Sequence, residues 1–244
     1  MKKLFTTILW IRQGIFYVYL YAVLTLFALI HTLMYLCSFP YFIRTRSAQI
    51  NSFCVIFGMK LILWIKCEIQ GKENLPKQAC IYVSKHQSEW ETFYFPSFIL
   101  RTCFVAKKEI LQIPILGMGL KSLEYIPIDR SQGLKALKNV ISEGKNRLKR
   151  NISIVIFPEG TRVAPKENPK FHKSAMSLAK SNNVPIVPIA HNSGSIWPAS
   201  PRKKLIKPGK ITVIIGKPIQ NNGEISLLTD ESYNWIKNTM SKIE

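Results

Sequence analysis

Between Arg12 and Arg44 the chain runs through 31 residues without one Asp, Glu, Lys or Arg, and most of them are apolar. A transmembrane helix needs about 20 such residues. A secretory signal has a shorter apolar region and a small-residue cleavage site. This run is too long for one, and Met34-Tyr35-Leu36-Cys37 lacks the small residues a lipoprotein site would want. Tyr17, Tyr19 and Tyr21 near one end and Tyr35 and Tyr41 near the other are spaced like interfacial aromatics. A helix buried in a soluble core is the competing reading, and membrane attachment fits better. Positive charge flanks both ends (Lys2, Lys3 and Arg12; Arg44 and Arg46), so it chooses no orientation. A second apolar stretch, 50–65, carries Lys60 in its middle, as a segment lying in the interface would. A single span, a re-entrant pair and a surface-lying pair are all compatible with this pattern.

The 244 residues leave room for one large domain beyond that segment. From Trp64 onward, short β-branched apolar runs alternate with helical patterns. Strands are expected over 64–69, 79–84, 102–106, 125–128, 152–157, 186–190 and 211–215, and helices over 89–100, 117–123, 134–149, 173–181 and 231–242. Such alternation predicts an α/β fold: a largely parallel sheet flanked by helices, preceded by an N-terminal apolar membrane-attachment helical segment. Residues 1–63 would form the attachment and 64–244 the catalytic domain.

Net charge is +20, from 34 basic and 14 acidic residues, which calls for an anionic partner: a membrane surface, a nucleic acid or a phosphorylated substrate. The charges are spread over many loops and no nucleic-acid-binding motif appears, so nucleic acid is not expected. The stretch 198–208, "PASPRKKLIKP", reads as a long surface loop whose Arg202, Lys203 and Lys204 face either lipid headgroups or solvent. Five cysteines without CxxC spacing fit packing roles in a reducing compartment.

There is no G-x-S-x-G elbow, no Walker loop, no G-x-G-x-x-G after a strand and no H-E-x-x-H. Three constellations remain, each at the end of an expected strand, where open α/β sheets place their sites. In "SKHQSEWETF" (84–93), Ser88 and Glu91 form an S-x-x-E capping box that starts a helix. The residue at the third helical position of such a box reaches back toward the preceding chain, which here contains His86. Glu91 is therefore expected to accept a hydrogen bond from one imidazole nitrogen, fix the tautomer and leave the other nitrogen as a base. In "FPEGTR" (157–162), Gly160 permits a tight turn and Arg162 suits a bidentate grip on phosphate; a plain strand-to-loop turn with a solvated Arg is the alternative. In "VAKKEILQIPILG" (105–117), Lys107 and Lys108 follow a strand, and Asp129-Arg130 follow the next one. These basic residues would add to an anion site, or sit on a solvated loop.

His86 with Glu91, then K-K-E at 107–109 with Pro114 and Gly117, then F-P-E-G-T-R, then "VPIVPIAHNSG" at 184–194, in this order, resemble the glycerolipid acyltransferase family, most closely its bacterial lysophosphatidic acid acyltransferases. The resemblance covers residues 64 to about 220 and includes "KPGKITVIIGKPI". It implies that His86 is the general base that activates the free hydroxyl of lysophosphatidic acid. Glu91 stands where the family usually has Asp. Lys107 and Arg162 match positions that bind the acceptor's phosphate, and Glu159 and Gly160 match residues that shape that site. The 184–190 block matches a strand near the acyl-donor channel, and Pro185 and Pro188 suggest that it is an edge. The implied reaction transfers an acyl group from acyl-CoA or acyl-ACP with no covalent acyl-enzyme and no metal or cofactor, in contact with membrane lipids, on the cytoplasmic side of the cell inner membrane. Glycerol 3-phosphate or another lysophospholipid is the rival acceptor, and a lipid-binding protein with a decayed site is the rival outside enzymes.

Overall fold

The computed structural model describes residues 2–199 and 204–244; of Lys2 and Arg130 only the main chain is described. The expected role of Arg202 and Lys203 lies outside these residues, as does that of the Arg130 side chain.

In chain order the elements are α1 (Lys2–Leu36), α2 (Tyr41–Ile62), β1 (Ile65–Gln70), β2 (Ile81–Ser84), α3 (Trp90–Tyr94), β3 (Thr102–Lys107), α4 (Leu116–Ser122), β4 (Ile126–Ile128), α5 (Leu134–Lys149), β5 (Ser153–Ile156), α6 (Ser174–Asn182), β6 (Ile186–His191), α7 (Ser193–Ile196), β7 (Gly209–Ile215) and α8 (Ile225–Ile243). All seven expected strands form one sheet in the order β1-β7-β6-β2-β5-β3-β4. Every pair is parallel except β6 with β7. The fold is α/β, a largely parallel sheet with helices on both faces.

β2, β5 and β6 are buried along their whole length, as strands covered on both faces must be. Their side chains alternate between two cores. Ile81, Val83, Ile154 and Ile156 pack with residues of α5, α6 and α8. Cys80, Tyr82, Val155, Val187 and Ile189 pack on the other side with Phe16 and Leu20 of α1, Val55 and Met59 of α2, and Trp90 of α3. One stripe of α1, Leu9, Gln13, Phe16, Leu20, Phe27 and His31, is thus turned into the protein. The opposite stripe, Leu4, Ile8, Ile11, Ile15 and Val18 and then Leu26, Leu29, Leu33 and Leu36, is exposed. On α2, Ile50, Phe53, Phe57 and Leu61 are exposed at helical spacing too. α1 is the one described helix long and apolar enough to cross a membrane by length and composition.

Three of the tyrosines read as interfacial are tied into the protein. Tyr17 donates to Glu89, Tyr19 to the carbonyl of Cys54 and Tyr41 to the carbonyl of Thr102. The helix expected over 89–100 stops at Tyr94 and continues as a 3-10 turn, Phe95–Ser97, where Pro96 has no N–H to carry on the helical ladder. The last helix begins at Ile225, six residues earlier than expected.

β6 is not an edge. It lies between β7 and β2, and the proline argument fails for a local reason. The Ile186 N–H and carbonyl both bond Ile219 on the β7 side, while the β7 ladder proper starts at Ile189 opposite Ile215. Pro188 falls in the gap between the two, so its missing N–H interrupts nothing.

Candidate active site

Parallel pairing delivers the functional residues to one end of the sheet. Ser84 on β2 is level with Ile189 on β6, so His86, two residues on, emerges beside His191. On its other side stands β5, whose last residue, Ile156, is level with Val83 and leads into F-P-E-G-T-R. Next comes β3, which ends in Lys107.

The capping box is formed. The Ser88 hydroxyl accepts the Trp90 N–H at 3.0 Å, and Glu91 Oε1 accepts the main-chain N–H groups of Gln87 at 2.7 Å and Ser88 at 2.8 Å. Glu91 is fully buried. Its other oxygen, Oε2, faces His86 Nδ1 at 3.8 Å. That is beyond hydrogen-bond range, so the carboxylate acts on the imidazole as a fixed negative charge rather than as the close acceptor the sequence suggested. Burial alone would push the Glu91 carboxyl up, but the His86 and His191 rings and the Gln87 N–H outweigh it and hold it below the usual carboxylate range. The His86 ring lies flat on Phe157, with centroids 4.1 Å apart and planes 17° from parallel. Nδ1 is buried and the side chain as a whole is 15% exposed, which leaves Nε2 as the nitrogen open to a reacting group.

The 157–163 loop folds over this helix cap. Gly160 sits at φ 71°, in the left-handed region, with the His172 ring 3.4 Å from where a Cβ would be. Glu159, 7% exposed, accepts the His86 N–H at 2.7 Å, and the Val163 N–H bonds the His86 carbonyl at 2.8 Å. Burial pushes the Glu159 carboxyl up to about 7, against the opposing pull of the His86 N–H and of Lys85. The buried Lys85 donates to the Glu167 carbonyl and to Asn168 Oδ1, stitching the following loop in place.

The structure therefore brings His86, Glu91 and Glu159 together, with Glu159 bonded to the His86 main chain. Arg162 and Lys107 stand at neighbouring strand ends, both exposed. Arg162 has one long contact, 3.4 Å to the Ala199 carbonyl, and Lys107 has Glu109 at 3.4 Å. Among the described residues neither has a buried partner. Among the described residues no group of three or more His, Cys, Asp or Glu could hold a metal.

Four participants were given no role of their own from the sequence: Lys85, Phe157 as a stacking partner, and, within the 184–194 block, His191 and Ser193 at the β6–α7 junction. The Ser193 hydroxyl donates to Glu91 Oε1 at 3.3 Å, and His191 Nε2 is 3.6 Å from the same oxygen. His191 and Ser193 had two sequence signals, their place in the 184–194 block and their position: "AHNSG" follows an apolar strand, as "SKHQS" does.

A family model described as Acyltransferase matches residues 66–192. The 1-acyl-sn-glycerol-3-phosphate acyltransferase of Pseudomonas aeruginosa is 38% identical over 192 residues, 77% of this chain and 74% of its own length. The enzyme of that name from Saccharomyces cerevisiae is 32% identical over 70% of this chain and 57% of its own length. The crystal structure of the 1-acyl-sn-glycerophosphate acyltransferase of Thermotoga maritima has the same fold, with a TM-score of 0.72 over 96% of this chain and 97% of that one, at 21% identity.

Proposed function

The chain belongs to the acyltransferase family, and from that premise we propose that it moves a fatty acyl group from acyl-CoA or acyl-ACP to the free hydroxyl of lysophosphatidic acid, giving phosphatidic acid. The observation that carries this reading is His86, backed by the buried carboxylate of Glu91 and gripped along its main chain by the F-P-E-G-T-R loop.

In the proposed step, His86 Nε2 takes the proton of the acceptor hydroxyl as its oxygen attacks the thioester carbonyl. A carbon–oxygen bond forms, the carbon–sulfur bond breaks, and the proton on His86 passes to the departing thiolate. The negative charge of Glu91 favours the imidazolium that forms between those events. General-base help of this kind is worth roughly 10²–10⁴-fold, and holding the two lipid substrates in place supplies much of the rest. Arg162 and Lys107 bind the acceptor's phosphate. Gly160 lets the main chain approach it, and Glu159 shapes the loop from behind rather than touching the anion.

Residues 1–63 attach the protein to the membrane, with the exposed stripes of α1 and α2 against lipid and the 64–244 domain on the cytoplasmic side of the inner membrane. Support comes from the run of exposed Leu, Ile and Phe on those helices, far larger than a protein in water tolerates.

The test is acyl transfer to lysophosphatidic acid by purified, detergent-solubilised protein, with both donors offered and His86→Ala alongside. Activity that falls by at least about 100-fold in the variant supports the reading. A variant as active as the wild type removes His86 as the base, and folded wild type that is silent with both donors removes the acceptor.

A further inference from the structure

The peptide unit that joins Lys85 to His86 is held at both of its polar atoms. Its N–H donates to Glu159 Oε2 at 2.7 Å, and its carbonyl, that of Lys85, lies 2.9 Å from Nε2 of His191. A carbonyl oxygen only accepts, so this contact puts the ring proton of His191 on Nε2. Burial keeps the His191 pKa below the usual histidine range, against the opposing influence of Glu91 and of the Lys85 carbonyl, so the ring is neutral and carries that one proton. Its Nδ1 is buried without a partner, and the ring is walled by Trp90 and Phe95 with centroids 5.6 and 5.9 Å away. A buried nitrogen without a partner is a cost that an apolar side chain in the same slot would not carry. What histidine supplies there is the Nε2–H.

We propose that His191 is a positioning residue for the transfer reaction: its Nε2–H and the Glu159 carboxylate pin the Lys85–His86 peptide from opposite sides and so fix the His86 imidazole between Glu91 and Phe157. This rests on the reading of His86 as the base. With the carbonyl released, the peptide plane can rotate, and the rotation is carried outward to the imidazole. A displacement of about 1 Å at the reacting nitrogen costs about 100-fold in rate. Substrate binding uses other groups, so the loss falls on kcat.

The test compares His191→Phe, which keeps the volume and removes the donor, with His191→Gln, whose side-chain amide can donate to the same carbonyl. His86→Ala is run in parallel. In the full-length protein in detergent, kcat, KM for both substrates and Tm are measured. His191→Phe is expected to lose roughly 10- to 100-fold in kcat with both KM values within about twofold, and His191→Gln to recover at least about tenfold of that loss. If the Phe variant does not fold, His191→Met, which also lacks the donor, takes its place with the same expectation. A donor-less variant with wild-type kcat overturns the proposal. So does a loss confined to KM, or a folded Gln variant no better than the Phe one. Activity surviving in His86→Ala sinks the base reading itself; a dead His86→Ala beside a fully active His191→Phe sinks only the role of His191.

Discussion

The Ser193 hydroxyl donates to Glu91 Oε1 at 3.3 Å, from a position 102 residues away, to an oxygen that already accepts two main-chain N–H groups. One oxygen of the carboxylate is therefore anchored, and the other is held toward His86. The length of glutamate is used: it reaches its anchors and still faces the imidazole.

Glu91→Asp shortens that reach by roughly 1.5 Å. The carboxylate can then keep its anchors or stay near His86, but not both. We expect kcat to drop about 10- to 100-fold with KM little changed, and Glu91→Gln, which keeps the length and loses the charge, to drop by about 100-fold or more. Steady-state kinetics decide; an Asp variant with wild-type kcat would show that the anchored oxygen does not matter.

Glu159 makes stability depend on pH. Its carboxyl is pushed up to about 7 in the folded protein from an ordinary value of 4.5, so folding favours the protonated form. This contribution is fully present below about pH 4.5 and is lost as pH rises through 7, a fall of about 3 kcal/mol in total. Denaturant unfolding at pH 5 and pH 8 is expected to show the wild type losing stability over that window and Glu159→Gln losing much less. Equal losses in both proteins would contradict it.

Arg162 and Lys107 are exposed and support nothing in the core. Arg162→Ala and Lys107→Ala are each expected to leave Tm unchanged within about 1 °C, as surface changes do. Each should raise KM for lysophosphatidic acid roughly tenfold or more, because a charge-assisted bond to phosphate is lost. If the ratio of rates on lysophosphatidic acid and on uncharged monoacylglycerol stays the same, these residues do not read the phosphate.

The outer stripes of α1 and α2 are expected to hold the protein on lipid. Phe57→Asp with Leu61→Asp places two charges where apolar side chains worth roughly 1.5–3 kcal/mol each now stand. Sedimentation with phospholipid vesicles should show a loss of bound protein of at least about tenfold. Full binding by a folded double variant would exclude this face.

Much of the architecture was legible because local chemistry and tertiary context agree. Runs such as 152–157 are rich in β-branched residues, and α5 has the bounds that its spacing of Leu134, Leu137, Val140, Ile141 and Leu148 predicts. His86 and Glu91 were legible because a capping box is a short-range device whose geometry is written in four residues. The misreadings come from partners distant in sequence. Pro188 looked like an edge signal because nothing local reveals that the chain changes partner there from Ile219 to β7. The hydroxyls of Tyr17, Tyr19 and Tyr41 bond groups between 35 and 72 positions away. His191 and Ser193 had no role to be read beyond their place in the 184–194 block because their partners, Lys85 just after β2 and Glu91 on α3, lie more than 100 residues upstream.

Only Leu63 and Trp64 separate α2 from β1. Trp64 is locked at φ 58°, its carbonyl accepts the Gly209 N–H, and Arg12 of α1 lies over its ring while bonding the carbonyl of Ile62. These contacts fasten the apolar hairpin to the sheet, so that on the proposed membrane reading the joint sets the height of His86 above the plane the hairpin occupies. On the proposed reading such an enzyme has no tether to adjust, and the depth at which His86 would meet an acceptor hydroxyl is set by the hairpin itself.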